Sequence, residues 1–213
     1  MFFLGINKYL FNSISIFEDM VLRREFYARS SKRVAIDLLG KVLVRKVGNK
    51  ILRGKIVETE AYFGMEDPAS RAYGGKKNLN APMWDKEGTS FVYMVHGNWL
   101  FNVITEREGK PSAVLIRALE PVDGKGIMLK NRKKKNPNIF KDKELCSGPG
   151  KLTQALAINQ SHTGLNVNKK GDIYIEDNKE RFEVVRGHRI GVSKDLPEKL
   201  RFYIKGNSYI SKK

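Results

Sequence analysis

The segment 51–63 constrains the fold most, because its pattern is that of one long β-strand. Successive side chains of a strand point to opposite faces of the sheet. Glu58, Glu60 and Tyr62 therefore share one face, and the other face carries Val57, Thr59, Ala61 and Phe63. On pattern alone this is typical of an edge strand with a solvated acidic face. The loops that follow are turn-rich and basic, so the alternative is a catalytic carboxylate that faces a bound polyanion.

Other strand patterns outnumber the helical ones. Helices are predicted over 28–40 and 151–158. The segments 89–95 and 99–105 flank His96-Gly97-Asn98, a turn-forming tripeptide, and are predicted to form a β-hairpin. Further strands are predicted at 41–46, 112–119, 173–176, 182–186 and 201–204. This order indicates an α+β fold with a mainly antiparallel sheet and a few helices rather than a regular βαβ series.

Composition narrows the class of protein. The chain has 213 residues and a formal net charge of +17, from 40 Lys and Arg against 23 Asp and Glu. The length favours one domain, predicted over 23–213 with an extension at 1–22. Cys146 is alone, which excludes an intrachain disulfide and a Cys-rich zinc site. The positive charge favours nucleic acid as the partner.

The sequence gives no indication of a membrane protein. No run of about 18 uninterrupted apolar residues occurs. The first 16 residues are rich in Phe, Leu and Ile but lack a basic start and a small-residue cleavage site. We therefore expect an intracellular protein without a membrane partner.

Several basic segments are candidates for phosphate contacts. Lys76 and Lys77 follow a glycine pair, and Lys133 and Lys134 belong to a basic polar stretch at 131–137 that is predicted to be exposed. Gly150 and Lys151 lie at the predicted start of a helix, where backbone amides bind phosphate.

Two further positions suggest function from their placement. Arg117 lies inside an apolar strand pattern, so it needs a partner, and Glu58 or Glu60 is a candidate. An interior structural ion pair is the alternative for this arginine. His96 lies at the tip of the predicted hairpin, a shape that suits a wedge entering a duplex. An ordinary turn of a core hairpin is the alternative there.

The motifs together resemble the alkyladenine (3-methyladenine) DNA glycosylase family from about residue 24 to the C-terminus. The most specific strings are Val57-Glu58-Thr59-Glu60-Ala61-Tyr62 and Leu115-Ile116-Arg117-Ala118-Leu119-Glu120-Pro121. The others, in order, are Asp67-Pro68-Ala69-Ser70, Val92-Tyr93, Asn102, Ser147-Gly148-Pro149-Gly150-Lys151-Leu152, Arg189-Ile190-Gly191-Val192 and Arg201-Phe202-Tyr203.

The resemblance implies a monofunctional base-excision enzyme with a curved sheet and a protruding hairpin that inserts into DNA. Such an enzyme flips an alkylated or deaminated purine out of the duplex and cuts its N-glycosidic bond with water. Glu60 matches the general base, and Arg117 matches the arginine that helps to hold the water. The base pocket is implied to contain Tyr62, Arg71, Tyr93, Asn102 and Leu115, with His96 as the intercalating residue.

Two of these residues depart from the family pattern. Arg71 stands where the family commonly has His, and a permanently charged group pointing inward would disfavour a cationic base. His96 stands where the wedge is commonly Tyr. The resemblance implies no cofactor or metal, a monomer, and double-stranded DNA containing damaged purines as the partner.

Two other functions remain open from the residues. A non-catalytic nucleic-acid-binding protein on the same scaffold would explain the charge. A metal-dependent nuclease could use Glu58, Glu60 and Asp67, which are close enough in sequence to share a metal ion.

Overall fold

The computed structural model describes residues 20–139 and 141–212, and within them eight strands form one antiparallel sheet that curls into a half-barrel. The strands are β1 Val42–Val47, β2 Lys50–Tyr62, β3 Ser90–Val95, β4 Asn98–Thr105, β5 Ser112–Asp123, β6 Ile173–Glu176, β7 Val184–Gly187 and β8 Arg201–Ile204. The predicted α+β fold with a mainly antiparallel sheet is confirmed. The predicted strand positions differ from the observed ones only at their ends.

The strand β2 lies in the middle of the sheet, whose order is β3-β4-β5-β2-β1-β6. It pairs with β5 along one side, and with β1 and then β8 along the other. The interpretation of 51–63 as an edge strand with a solvated acidic face is therefore wrong. Glu58 and Glu60 are 0% exposed, because strands and loops cover both faces at this point.

Four α-helices lie within the described ranges: α1 Arg24–Tyr27, α2 Ser31–Asp37, α3 Lys125–Lys133 and α4 Pro149–Ala155. The helix α2 covers one face of β2, where the Thr59 hydroxyl donates to the Ala35 carbonyl at 2.7 Å. Glu58, Glu60 and Tyr62 consequently point to the opposite face, as the alternation predicts. The largest cluster of buried apolar side chains joins α2, β2, β5 and α4.

The helix α3 is absent from the sequence prediction, which placed an exposed polar stretch at 131–137. The first residues of that stretch belong to α3, and Arg132 is 5% exposed. The sequence hides this helix because few of its residues are apolar. It is held by packing against α4, where the Asn131 side chain donates to the Ala155 carbonyl at 3.0 Å.

The predicted hairpin is present and closes with a two-residue turn. His96 and Gly97 have φ angles of 46° and 73°, and positive φ at both central residues defines the type I′ turn that matches the twist of paired strands. The His96 side chain is exposed at the tip. His96 is therefore accessible at the end of the hairpin.

The predicted extension at 1–22 falls mostly outside the described residues. Its last part contacts the sheet, since the Leu22 amide donates to the Ile175 carbonyl at 2.9 Å and Val21 bridges to Glu176. Across the described ranges, no helix combines the length and the apolar character that crossing a membrane requires.

Candidate active site

Glu60 is a fully buried carboxylate that accepts three hydrogen bonds. The Ile190 amide donates to its Oε1 at 2.7 Å. The Tyr62 hydroxyl and Nη1 of Arg117 donate to its Oε2 at 2.8 and 3.2 Å. An ionised carboxylate accepts at about four lone-pair sites. One site therefore remains for a further donor, such as a water molecule.

Arg117 is held between the two acidic side chains that the sequence offers as its partners. Its Nε lies 3.2 Å from Oε1 of Glu58, while Nη1 contacts Glu60. The register of β2 and β5 shifts at this point, so Arg117 has no direct partner across the ladder. The predicted pairing of this arginine with a carboxylate is confirmed. Because Arg117, Glu58 and Glu60 are all buried, the contacts are also the interior ion pair that was the alternative.

The Glu60 carboxylate binds a proton more readily than a carboxylate in water does, because its pKa is raised. Burial raises its pKa, because the charged form loses its hydration. Arg117, the Ile190 amide and the Tyr62 hydroxyl stabilise the charged form and offset part of this rise. A base with a raised pKa binds a proton more strongly near neutral pH.

A cleft of about 860 Å³ opens above this network. Tyr62, Arg117 and Ile190 line it, and all three contact Glu60, which lies just beneath the lining. Its basic lining residues are Arg71, Arg117, Arg132, Lys135 and Lys151, and no described lining residue is Asp or Glu. The cleft is therefore suited to a polyanion.

Two tyrosine rings form an aromatic wall of the cleft. Tyr62 is buried and Tyr93 is half-buried, and both also line a small cavity next to the cleft. Each ring carries an arginine on one face: Arg189 lies 4.6 Å from the ring centroid of Tyr62, and Arg71 lies 4.6 Å from that of Tyr93. Arg71 thus points into the cleft.

The other predicted pocket residues gather at the same place. Leu115 lines the main cleft, and Asn102 lines the small cavity. The Asn102 amide donates to the Phe91 and Leu100 carbonyls at 3.1 and 3.2 Å, which fixes the side chain against β3.

The predicted phosphate contacts divide into two groups. Gly150 and Lys151 line the cleft, and His96 lies at its rim among the lining residues. A Cβ on Gly150 would lie 2.8 Å from that of Asn98, so glycine permits the close approach of α4 to the hairpin. The described lining does not include Lys76, Lys77, Lys133 or Lys134. Arg132 and Lys135 take their place as cleft cations.

Sequence reasoning missed the buried cation that supports Tyr62. Arg189 donates to Oδ1 of Asp67 at 2.8 Å, to Oδ1 of Asp195 at 2.8 Å and to the Ala61 carbonyl at 3.0 Å. The string Arg189-Ile190-Gly191-Val192 marked this region only through the family resemblance. A separation of 122 residues from Asp67 leaves no local pattern that could reveal the pair.

The three carboxylates considered for a metal-dependent nuclease do not converge. Glu58 and Glu60 turn toward Arg117, whereas Asp67 is bound by Arg189. In the parts of the chain that the structure covers, no three His, Cys, Asp or Glu side chains lie in a group that could hold a metal ion.

Comparisons with known proteins give consistent matches to one family. A family model described as methylpurine-DNA glycosylase matches residues 25–208. A protein of Clostridium tetani named "Putative 3-methyladenine DNA glycosylase" is 47% identical over 203 residues, which is 91% of this chain and all of the relative. Proteins with the same name from Clostridium botulinum and Clostridium perfringens are 44% and 42% identical, again over 91% of this chain and their whole lengths.

The matches define the class of the protein as a DNA glycosylase of base excision repair. The chain belongs to the methylpurine-DNA glycosylase family.

Proposed function

We propose that this protein flips an alkylated or deaminated purine nucleotide out of duplex DNA and hydrolyses its N-glycosidic bond, leaving an abasic site. The observation that carries the proposal is the buried Glu60 carboxylate beneath a cleft with basic and aromatic walls. Glu60 is suited to the role of general base because the Ile190 amide, the Tyr62 hydroxyl and Arg117 occupy three of its about four acceptor sites. The remaining site can accept a hydrogen bond from the attacking water. The enzyme acts as a monomer on one duplex.

Base flipping uses the walls of the cleft. Extruding a nucleotide costs a few kcal/mol of stacking, and the cost is least for a lesion that pairs badly. Stacking on an aromatic side chain recovers about 1–3 kcal/mol per base, and Tyr62 and Tyr93 supply such rings. His96, exposed at the hairpin tip, fills the space that the base leaves.

Hydrolysis follows from the position of Glu60. A water molecule enters between Tyr62, Arg117 and Ile190, and Glu60 takes one of its protons. The water oxygen bonds to C1′ of the sugar as the bond from C1′ to the purine nitrogen breaks. The purine leaves with the electron pair of that bond. A purine with a positive charge leaves as a neutral base, and a neutral purine such as hypoxanthine takes up a proton from the solvent as it leaves, so this route calls for no cofactor. It forms no covalent link between enzyme and DNA.

The decisive variant is Glu60→Gln, which keeps the size of the side chain and removes its basicity. We expect release of hypoxanthine, 1,N6-ethenoadenine, 7-methylguanine or 3-methyladenine from single-lesion duplexes to fall by about 10²-fold or more in single-turnover assays. Binding to the same duplexes should persist. Glu66→Gln is the matched control, because Glu66 is exposed outside the cleft.

The same assay separates the other functions. It is run in EDTA, and strand breaks should appear only after alkali has cut the abasic site. Breaks without alkali would indicate lyase or nuclease chemistry. Tight binding with no base released by the unmodified protein would favour a non-catalytic nucleic-acid-binding protein. Full excision by Glu60→Gln would remove Glu60 from the mechanism.

A further inference from the structure

Arg71 brings a permanent positive charge to the aromatic wall of the cleft. Its guanidinium lies 4.6 Å from the centroid of the Tyr93 ring. The residue lines both the main cleft and the small cavity that it shares with Tyr62 and Asn102. The charge therefore lies beside the surface on which, under the proposed function, a flipped base stacks.

The backbone around Arg71 is fixed. The buried Asn80 side chain donates to the Arg71 carbonyl at 2.7 Å. The Ala72 amide donates to the Ser70 hydroxyl at 3.1 Å, and both of these neighbours are buried. Arg71 is thus an exposed side chain on an anchored stretch of backbone, which keeps its guanidinium near Tyr93.

The charge has opposite consequences for two kinds of damaged purine. Methylation at N7 of guanine or at N3 of adenine leaves the ring of the nucleotide positively charged. Such a base normally gains from the electron-rich face of an aromatic ring. Here Arg71 already occupies that interaction with Tyr93, and two like charges close together at the protein surface repel each other.

A neutral lesion can accept hydrogen bonds from the same arginine. Hypoxanthine carries a carbonyl oxygen at C6, and ethenoadenine carries ring nitrogens with lone pairs. Both are hydrogen-bond acceptors, and a guanidinium offers up to five donors and no acceptor. The side chain that disfavours a charged purine can therefore bind a neutral one.

Resting on the proposed function, we propose that Arg71 sets the substrate class of this enzyme. It selects electrically neutral purine lesions with hydrogen-bond acceptors and disfavours purines that carry a positive charge. The relatives are named for 3-methyladenine, and this chain is expected to differ from that named substrate in its preference.

The test compares a cationic and a neutral lesion in one chain. Single-turnover rate constants for release of 7-methylguanine and of hypoxanthine are measured for the unmodified protein, Arg71→Gln, Arg71→Lys and Arg107→Gln. We expect the ratio of the 7-methylguanine to the hypoxanthine rate constant to rise at least about tenfold in Arg71→Gln. It should stay close to the original value in Arg71→Lys, which keeps the charge.

Arg107→Gln is the matched control, because Arg107 is exposed outside the cleft lining and its loss also removes one positive charge. Its ratio should not change. A ratio that is unchanged in Arg71→Gln, with both rates lowered together, would overturn the inference and make Arg71 a general contact to the DNA backbone. An equal change in Arg107→Gln would overturn it too.

Failure of the proposed function looks different. If the unmodified protein releases neither base, or if Glu60→Gln releases both at full rate, the proposed chemistry fails and the inference fails with it. If the unmodified protein excises and Glu60→Gln does not, while the ratio is flat across the Arg71 variants, only the role of Arg71 is wrong.

Discussion

At the scale of single residues, the proton affinity of Glu60 reflects a balance of opposing effects. Burial favours the neutral carboxylic acid, whereas Arg117, the Ile190 amide and the Tyr62 hydroxyl favour the carboxylate. The donors differ in what else they do, since Tyr62 also lines the cleft with its ring. Removing only the Tyr62 hydroxyl changes the proton affinity of the Glu60 carboxylate. The ring of Tyr62, which is the proposed stacking surface, stays in place.

Tyr62→Phe is therefore expected to move the pH dependence of excision. The Tyr62 hydroxyl lowers the pKa of Glu60, so its loss raises that pKa. The active form of a general base is deprotonated, so excision increases with pH through the pKa of Glu60. The acid limb of the pH–rate profile should thus move to higher pH in Tyr62→Phe, measured by single-turnover release of hypoxanthine.

Tyr73→Phe provides the control for that profile. Tyr73 is 57% exposed and does not line the cleft, so its variant should follow the unmodified protein at every pH. An acid limb that stays in place in Tyr62→Phe would show that a group other than Glu60 controls the limb.

At the scale of elements, β2 shows what a single sequence can and cannot predict. Alternation assigned Thr59 to one face and Glu60 with Tyr62 to the other, because the period of a strand is local. The strand's central place in the sheet was missed. It depends on pairing with β5 and β8, whose residues are distant in the chain, in addition to the adjacent strand β1.

The same distinction applies to the candidate site. Glu60 and Arg117 lie within recognisable strings, and their contact was predicted from the need of a buried arginine for a carboxylate. The support of the site was not predicted. Arg189 reaches Asp67 and Tyr62, and Ser211 reaches Glu58, over separations that leave no periodic or local trace.

The segment after β8 returns to β2, where Ser211 contacts both Glu58 and Arg117. The Ser211 hydroxyl donates to Oε1 of Glu58 at 2.9 Å and lies 3.3 Å from Nη2 of Arg117, while the Ser211 amide donates to Oε2 of Glu58 at 2.6 Å. Arg201 also contacts Glu58 and the Lys212 carbonyl. Ser211 lies beyond residues 25–208, the part that the family model matches.

Ser211→Ala should therefore lower both stability and rate. The variant loses hydroxyl contacts to a buried charged pair, and hydrogen bonds to charged groups contribute about 1.5–3 kcal/mol. We expect the free energy of unfolding in urea to fall by about that amount. The single-turnover rate should also fall, because Arg117 loses one of the groups that hold it beside Glu60.

Ser208→Ala is the matched variant, since Ser208 is exposed in the same segment. It should leave both quantities unchanged. If Ser211→Ala lowers the unfolding free energy but leaves the rate at saturating enzyme unchanged, the segment stabilises the fold without positioning Arg117.

At the scale of the whole molecule, the net charge of +17 says little about where DNA binds, because the charges of the surface and those of the cleft differ in their partners. Much of the surface carries paired charges, such as Lys205 with Glu183 and Lys125 with Asp142. The described lining of the cleft has basic side chains and no acidic ones. Attraction for DNA should therefore depend on a few cleft cations rather than on the total charge.

The salt dependence of DNA binding distinguishes these two possibilities. Each phosphate contact contributes about 0.9 to the slope of log K against log salt concentration, because binding releases condensed counterions. Lys151 lines the cleft, and Lys179 is an exposed lysine outside it. We expect Lys151→Gln to reduce the magnitude of the slope by about 0.9, measured by fluorescence anisotropy with an undamaged duplex. Lys179→Gln removes the same charge and should leave the slope unchanged, whereas an equal reduction in both variants would show that binding follows net charge and not the cleft.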